Sequence, residues 1–414
     1  MLAPFRVRGF RYQWAGDLAM SWAMEMEVLI LGWYVLVTTG SVQWLAILGA
    51  LHYAGSLISP MFGVIGDRFG YARLFWMSRA FYALIAAIIG LLAWQDLLSA
   101  HAVLVLALLA GMVRPSDMVM RYAVIAMTLP SEQLMGGLGI ARITSDSARV
   151  AGALAGATTV AAFGMVWAYA VILGLYCLSF LFTQQIITND INQQLRTGGG
   201  QIRSAIADLG HGFRYVWDKP ALLGAMGLAF LVNLLAFPFF LGLLPYIAKH
   251  HYGLDQAGLS VLAASFALGG LLGSLVLGSN KLRMGAARAM LIAALCWFSI
   301  DALFALNQAL YPGIALLVLA GLSSSLCLTP LAAVMLRGTE MAYRGRVMGM
   351  RMLAIWGLPI GLLIAGPLIE HWGLPRLAST YSAIGLVLTL GMALHWRRDL
   401  WWRDARSNRL SEAS

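Results

Sequence analysis

Residues 63–73 read Gly63-Val64-Ile65-Gly66-Asp67-Arg68-Phe69-Gly70-Tyr71-Ala72-Arg73. This charged turn separates two apolar runs, 43–65 and 74–94, each long enough for the roughly 20 helical residues that cross a bilayer. A polar turn between two such runs is a membrane hairpin. Gly63 and Gly66 lie one turn apart and let a neighbouring backbone come close. Asp67 can accept hydrogen bonds from a helix N-terminus or an arginine, while Arg68 and Arg73 can pair across the inner face. The cluster reads either as a latch made in one state and broken in another, or as a basic inner turn with a structural cap.

Working outward, the hairpin repeats. Twelve helical candidates lie near 14–38, 43–65, 74–94, 101–127, 133–161 and 165–187, then 221–248, 256–279, 286–306, 312–336, 347–369 and 375–396. The segments are too long, and too uniformly apolar, for barrel strands. Of the 414 residues 60% are hydrophobic and 11% charged, whereas a soluble domain is about half apolar and a quarter charged. That excludes a soluble enzyme, a disordered chain and a small secreted scaffold. Cys177, Cys296 and Cys327 lie in apolar runs without metal-ligand spacing. No nucleotide loop, metal cluster or nucleophile constellation is found, so neither enzymatic action nor a cofactor is expected. The net charge of +10 is spread between apolar runs rather than gathered in one patch, which argues against nucleic acid.

Orientation follows from arginine and lysine. With the N-terminus inside, most of the 28 basic residues are assigned to the inner side; Arg114, Arg142 and Arg149 are assigned to spans, and only Lys249 and Arg376 to the outside. Both termini are therefore expected inside, and residues 1–13, with Arg6, Arg8 and Arg11, read as a retained inner end rather than a cleaved signal. The expected organisation is a six-helix bundle over 1–187, a linker over 188–220, a second bundle over 221–396 and an inner tail over 397–414. Residues 201–219 of the linker carry apolar positions at helical spacing. They fit an amphipathic helix on the inner membrane face, a plain tether, or both. Trp401, Trp402 and Arg403 of the tail suit the lipid headgroup region.

The 63–73 stretch resembles the loop motif of the major facilitator superfamily, G-x-x-x-D-R-x-G-R. Residues 278–283 form a degraded counterpart half a chain later, as repeated halves require. Further stretches resemble the bacterial exporters that include the enterobactin exporter and macrolide efflux proteins. These are Thr39-Gly40-Ser41, Leu129-Pro130-Ser131-Glu132, Gly212-Phe213-Arg214-Tyr215-Val216, and Arg344-Gly345-Arg346-Val347-Met348-Gly349 followed by Gly357-Leu358-Pro359-Ile360-Gly361. The resemblance implies an all-α fold of two six-helix bundles around a central cavity, a monomer in the inner membrane, and a small-molecule substrate.

Ionisable residues inside spans carry the functional expectation, because they are costly in hydrocarbon. The first span holds Asp17, Glu25 and Glu27. At about 100° per residue the two glutamates point about 160° apart, so one faces a cavity and the other a neighbouring helix. Asp17, near the inner end, reads as a helix-start or interfacial acid. A carboxyl taken from water favours its neutral form, which suits proton coupling and also the binding of a cation; hydrogen bonding between spans is the simpler alternative. Arg114 with Asp117, and Asp146 with Arg149, stand three residues apart on one helix face and either tune a proton site or neutralise each other locally. Gly152 and Gly156 belong to a small-residue stripe that permits close helix contact. Asp301 reads as structural, and the His250-His251 doublet as solvated. From spans that face the centre in the resembled fold, Ser21, Trp33, Asn233, Phe237, Phe239, Ser324 and Thr329 are expected to line the cavity. Gly63, Gly66, Asp67, Arg68, Gly70, Arg73, Arg344 and Arg346 are expected to close the inner side. The function expected is proton-driven export of a small amphipathic compound. Uptake or lipid movement on the same scaffold, and a non-transporting membrane binding protein or sensor, are the competing readings.

Overall fold

The computed structural model describes residues 3–58, 70–186, 214–278, 284–340, 343, 347, 350–351 and 353–397. Helix is the only regular structure among them. Eight of the described helices are long and apolar enough to cross a membrane.

Helix α1 runs Arg8–Thr39 and stops at Gly40, whose φ of 68° reverses the chain while its N–H still bonds the Leu36 carbonyl. Helix α2 covers Val42–Leu51 and gives way to a 3₁₀ turn, Ala54–Ile58, where the expected span 43–65 was continuous. Helix α3 covers Tyr71–Trp94. Helix α4 covers Ala100–Thr128, its first turn capped by the Ser99 hydroxyl accepting from the Ala102 N–H, with Pro115 inside it. The expected spans 133–161 and 165–187 are two arms of α5, Ser131–Gln184, broken at Gly164 with φ 80° and ψ 178°. Only glycine takes that conformation without strain.

Helix α6, Pro220–Leu235, opens the later part of the chain. The expected span 221–248 then breaks into short helices at Phe237–Leu241 and Leu244–Tyr246 and a π turn at Ile247–His251. Pro238 and Pro245 remove two backbone donors there, which accounts for the interruption. Helices α7 (Gln256–Gly278), α8 (Ala286–Leu306), α9 (Leu310–Arg337), α10 (Gly357–Trp372) and α11 (Leu374–His395) complete the series. Most of the expected linker helix, and nearly all of the tail, lie outside the described residues.

The chain forms two compact units. One gathers residues 1–41, 51–205 and 254–264; the other gathers 42–50, 206–253 and 265–414. In the first, α1 lies along α5, and the small-residue stripe is what admits it. A Cβ at Gly152 would stand 2.9 Å from the Glu25 Cβ, and one at Gly156 would stand 3.1 Å from the Met26 Cα. In the second, α8 is flanked by α9 and α11. Trp297 and Phe298 are fully buried on α8, and Phe237 meets the Trp297 ring edge-on at 4.9 Å.

Candidate functional site

Charge gathers in the first unit at three levels along α1, and the acids of the first two are buried. At the level of Asp17, two arginines and two aspartates close on one another. The Arg79 guanidinium on α3 donates to the Asp17 carboxylate and lies 3.8 Å from Asp117 of α4. Arg121, one turn beyond Asp117, donates to it at 3.0 Å and stands 3.7 Å from Asp17. The four are 0–8% exposed. Hydroxyls complete the shell: Arg79 also donates to Ser179 at 2.8 Å and Thr183 at 2.6 Å on α5, and Arg121 to Ser21 at 3.3 Å and Ser145 at 3.2 Å. Two positive and two negative charges in a closed, hydrogen-bonded set remove the net charge that burial would otherwise penalise.

At the level of Glu27 the surroundings change from ion pairs to phenols. The Tyr176 hydroxyl on the second arm of α5 donates to Glu27 Oε2 at 2.7 Å, and the Tyr176 and Tyr82 rings lie 5.6 Å apart. Glu27 and Arg114 line one small cavity, together with His52 and Tyr82 and a wall of Leu, Ile and Val. Arg114 lies over the Tyr53 ring at 5.5 Å, a cation–π contact that holds its charge without an acid beside it. The third level is more open. Glu25 stands 3.5 Å from Arg149, which reaches Asp146 at 3.9 Å, and Arg142 donates to Asp146 at 3.0 Å.

The sequence matches the family described as transmembrane secretion effector over residues 1–411. The chain belongs to the transmembrane secretion effector family. No curated protein matches it. Among solved structures, a bacterial homologue of the human lysosomal transporter Spinster, inward-facing and unoccupied, is 13% identical over 96% of this chain and 98% of its own, with a TM-score of 0.73. The nucleoside transporter NupG is 13% identical over 94% and 98%, TM-score 0.72. A D-xylose–proton symporter is 12% identical over 92% and 96%, TM-score 0.70. The fold is the all-α major facilitator fold, as expected. By family and by fold this secretion effector is a membrane transporter of that type rather than an enzyme.

Several expected sites are placed differently in the secretion effector structure. Asp17 is not interfacial but 3% exposed and paired. Arg79 and Arg121, assigned by charge counting to the inner side, are buried partners of Asp17 and Asp117. Arg114 and Asp117 do not form the expected pair: Asp117 turns to Arg121, and Arg114 turns to the Glu27 cavity. Asp146 and Arg149 do meet, with Glu25 joining them. The glutamates diverge as helical arithmetic requires, Glu27 buried against Tyr176 and Glu25 beside Arg149.

Among the expected cavity residues, Ser21 belongs to the ion cluster, and Trp33 is half-buried. Asn233 donates to the Ala229 carbonyl of its own helix at 2.8 Å, as Ser324 does to Gly321 at 2.7 Å. Phe239 is buried against Tyr381, and Thr329 is exposed. Gly70 precedes α3 with φ 88°, and Arg73 is exposed on its first turn. Gly63, Gly66, Asp67, Arg68, Arg344 and Arg346 lie outside the described residues. His251 is not free in solvent: its Nε2 lies 2.7 Å from the Asn307 carbonyl oxygen. His250 is exposed, with its ring stacked on Tyr246 at 4.7 Å.

Proposed function

We propose that the protein exports a small amphipathic compound by alternating access between two bundles, driven by protons entering in exchange. In this reading both termini face the cytoplasm of a bacterial inner membrane. Glu27 takes up and releases the proton, and Arg114 sets the charge balance across its cavity. The carrying observation is that Glu27 is buried, held by one phenol and faces a shared cavity with the half-buried Arg114, yet makes no ion pair among the described residues. A neutral glutamic acid suits such a cavity, and a glutamate there draws on Arg114 for its charge. The Asp17–Arg79–Asp117–Arg121 cluster, with its two positive and two negative charges already balanced, holds α1, α3, α4 and α5 together while the proton moves elsewhere. Glu25 and Arg149, being more open, belong to the substrate side of the same unit.

Support for the direction comes from the secretion family and the exporter-like motifs. Support for coupling comes from Glu27 and from a fold shared with a D-xylose–proton symporter. The test is proton release from the purified protein on adding a panel of amphipathic toxic compounds and iron chelators. Release in the wild type that Glu27→Gln abolishes, with ligand binding kept, supports the reading. Ligand binding with no proton release in the wild type overturns the coupling.

A further inference from the structure

The second unit holds a buried acid that the Glu27 reading does not use. Asp301 lies in the penultimate turn of α8, 3% exposed. Neither of its carboxyl oxygens has a hydrogen-bond partner among the described residues. A carboxyl kept for packing alone would be hydrogen-bonded, because leaving it bare costs free energy in either protonation state. Asp301 lines a small cavity whose walls are otherwise apolar, Phe239, Phe240 and Phe304 among them, except at one place: His251, from the π turn after α6. That cavity has room for about one water molecule.

We propose that Asp301 is a proton-binding site of the second unit, loaded and emptied past His251 through a single water. His251 is half-buried, so it touches both the cavity and the surface. With its Nε2 against the Asn307 carbonyl oxygen, one ring nitrogen is engaged and the other is left for exchange. The surrounding titratable groups do not compete. Tyr381 on α11 gives its hydroxyl to the Gly361 carbonyl at 3.0 Å, and Tyr252 faces Asn307. Glu370 and His371 on α10 lie outside the cavity wall. On α8 itself the nearest other charge, Arg288, is more than three turns away, about 20 Å along the helix. Helix α9 brings no charged residue to this cavity. With no counter-charge and no protein donor beside it, and room for only about one water, the acid is best compensated by a proton or by a bound cation.

The test uses the full-length protein in liposomes and a membrane-soluble carbodiimide, which adds to protonated carboxyls in apolar surroundings. Modified peptides are located by mass spectrometry. Labelling of the Asp301 peptide is expected in acid, falling about tenfold per pH unit once most of the acid is ionised. His251→Phe is expected to slow the change after a pH jump without moving its end points. Labelling that stays constant with pH, or that never occurs, overturns the proposal. So does protection by sodium at fixed pH, which would make the site a cation site. The wild type suffices for the main readout, with Asp301→Asn confirming the assignment by infrared loss of the protonated-carboxyl band. The Glu27 peptide is read in the same digest, so failure at one acid is distinguished from failure at the other.

Discussion

At the scale of single residues, the first unit separates charges that stabilise from a charge free to change. Arg79→Ala, or Asp17→Asn, leaves an uncompensated ion among buried groups and is expected to cost about 3–5 kcal/mol, read as a lower melting temperature in detergent. Combining the two should cost clearly less than the sum, because they share one interaction. Glu27→Gln, by contrast, is expected to leave stability nearly unchanged while removing proton release. The two acids stand ten positions apart on α1, and the sequence set Asp17 aside as an interfacial acid because its nearness to the inner end could be read but its partners could not. Asp17 meets Arg79 across 62 residues of chain, and arithmetic along one helix cannot reveal a partner on another. Arg79 was also hidden by the rule that basic residues gather in inner loops, a rule about averages that a single paired arginine can break.

At the scale of elements, composition and run length placed nearly every helix, since about 20 apolar residues in a row have few other stable states. Breaks inside runs were harder to see. The gap after the fifth expected span falls at Gly164, while the interruption after Leu235 was masked by unbroken hydrophobicity, although Pro238 and Pro245 were there to mark it. Close packing of α1 on α5 is sharply testable. Gly156→Leu would drive a side chain into the Met26 backbone and is expected to destabilise by about 1–3 kcal/mol, read by thermal melting. Near the start of α6, Lys219 donates to Glu340 at 2.9 Å and to the Tyr215 hydroxyl at 2.5 Å, and the Tyr215 and Tyr343 rings stack at 4.2 Å. Hydrogen bonding from Lys219 holds the Glu340 carboxyl below its ordinary range, while bonds to Tyr215 and Glu340 hold the lysine above its own. The carboxylate's share is therefore complete above the ordinary glutamate range and lost as pH falls through its lowered value. The lysine's share is complete below the ordinary lysine range and lost as pH rises through its raised one. Hydrogen exchange at residues 214–219 is expected to stay slow across neutral pH and to quicken in Glu340→Gln.

At the scale of the whole molecule, the orientation proposed from arginine and lysine makes its own demand. Single cysteines at positions 249 and 376, in a background without native cysteines, are expected to react with an impermeant maleimide in intact cells, while one at position 73 should not; the reverse pattern would invert the topology. The closed set of two arginines and two aspartates bears on biogenesis. Asp17 leaves the ribosome 62 residues ahead of Arg79, roughly 3–12 s at ordinary synthesis rates. Throughout that interval the first helix carries an acid whose counter-ion has not been made. It cannot settle in lipid alone at low cost, so it must wait beside the insertion machinery until the third and fourth helices arrive. The first four long helices should then leave as one package, and a ribosome stalled shortly before Arg79 should leave α1 extractable by alkali, whereas one stalled well past Arg121 should not.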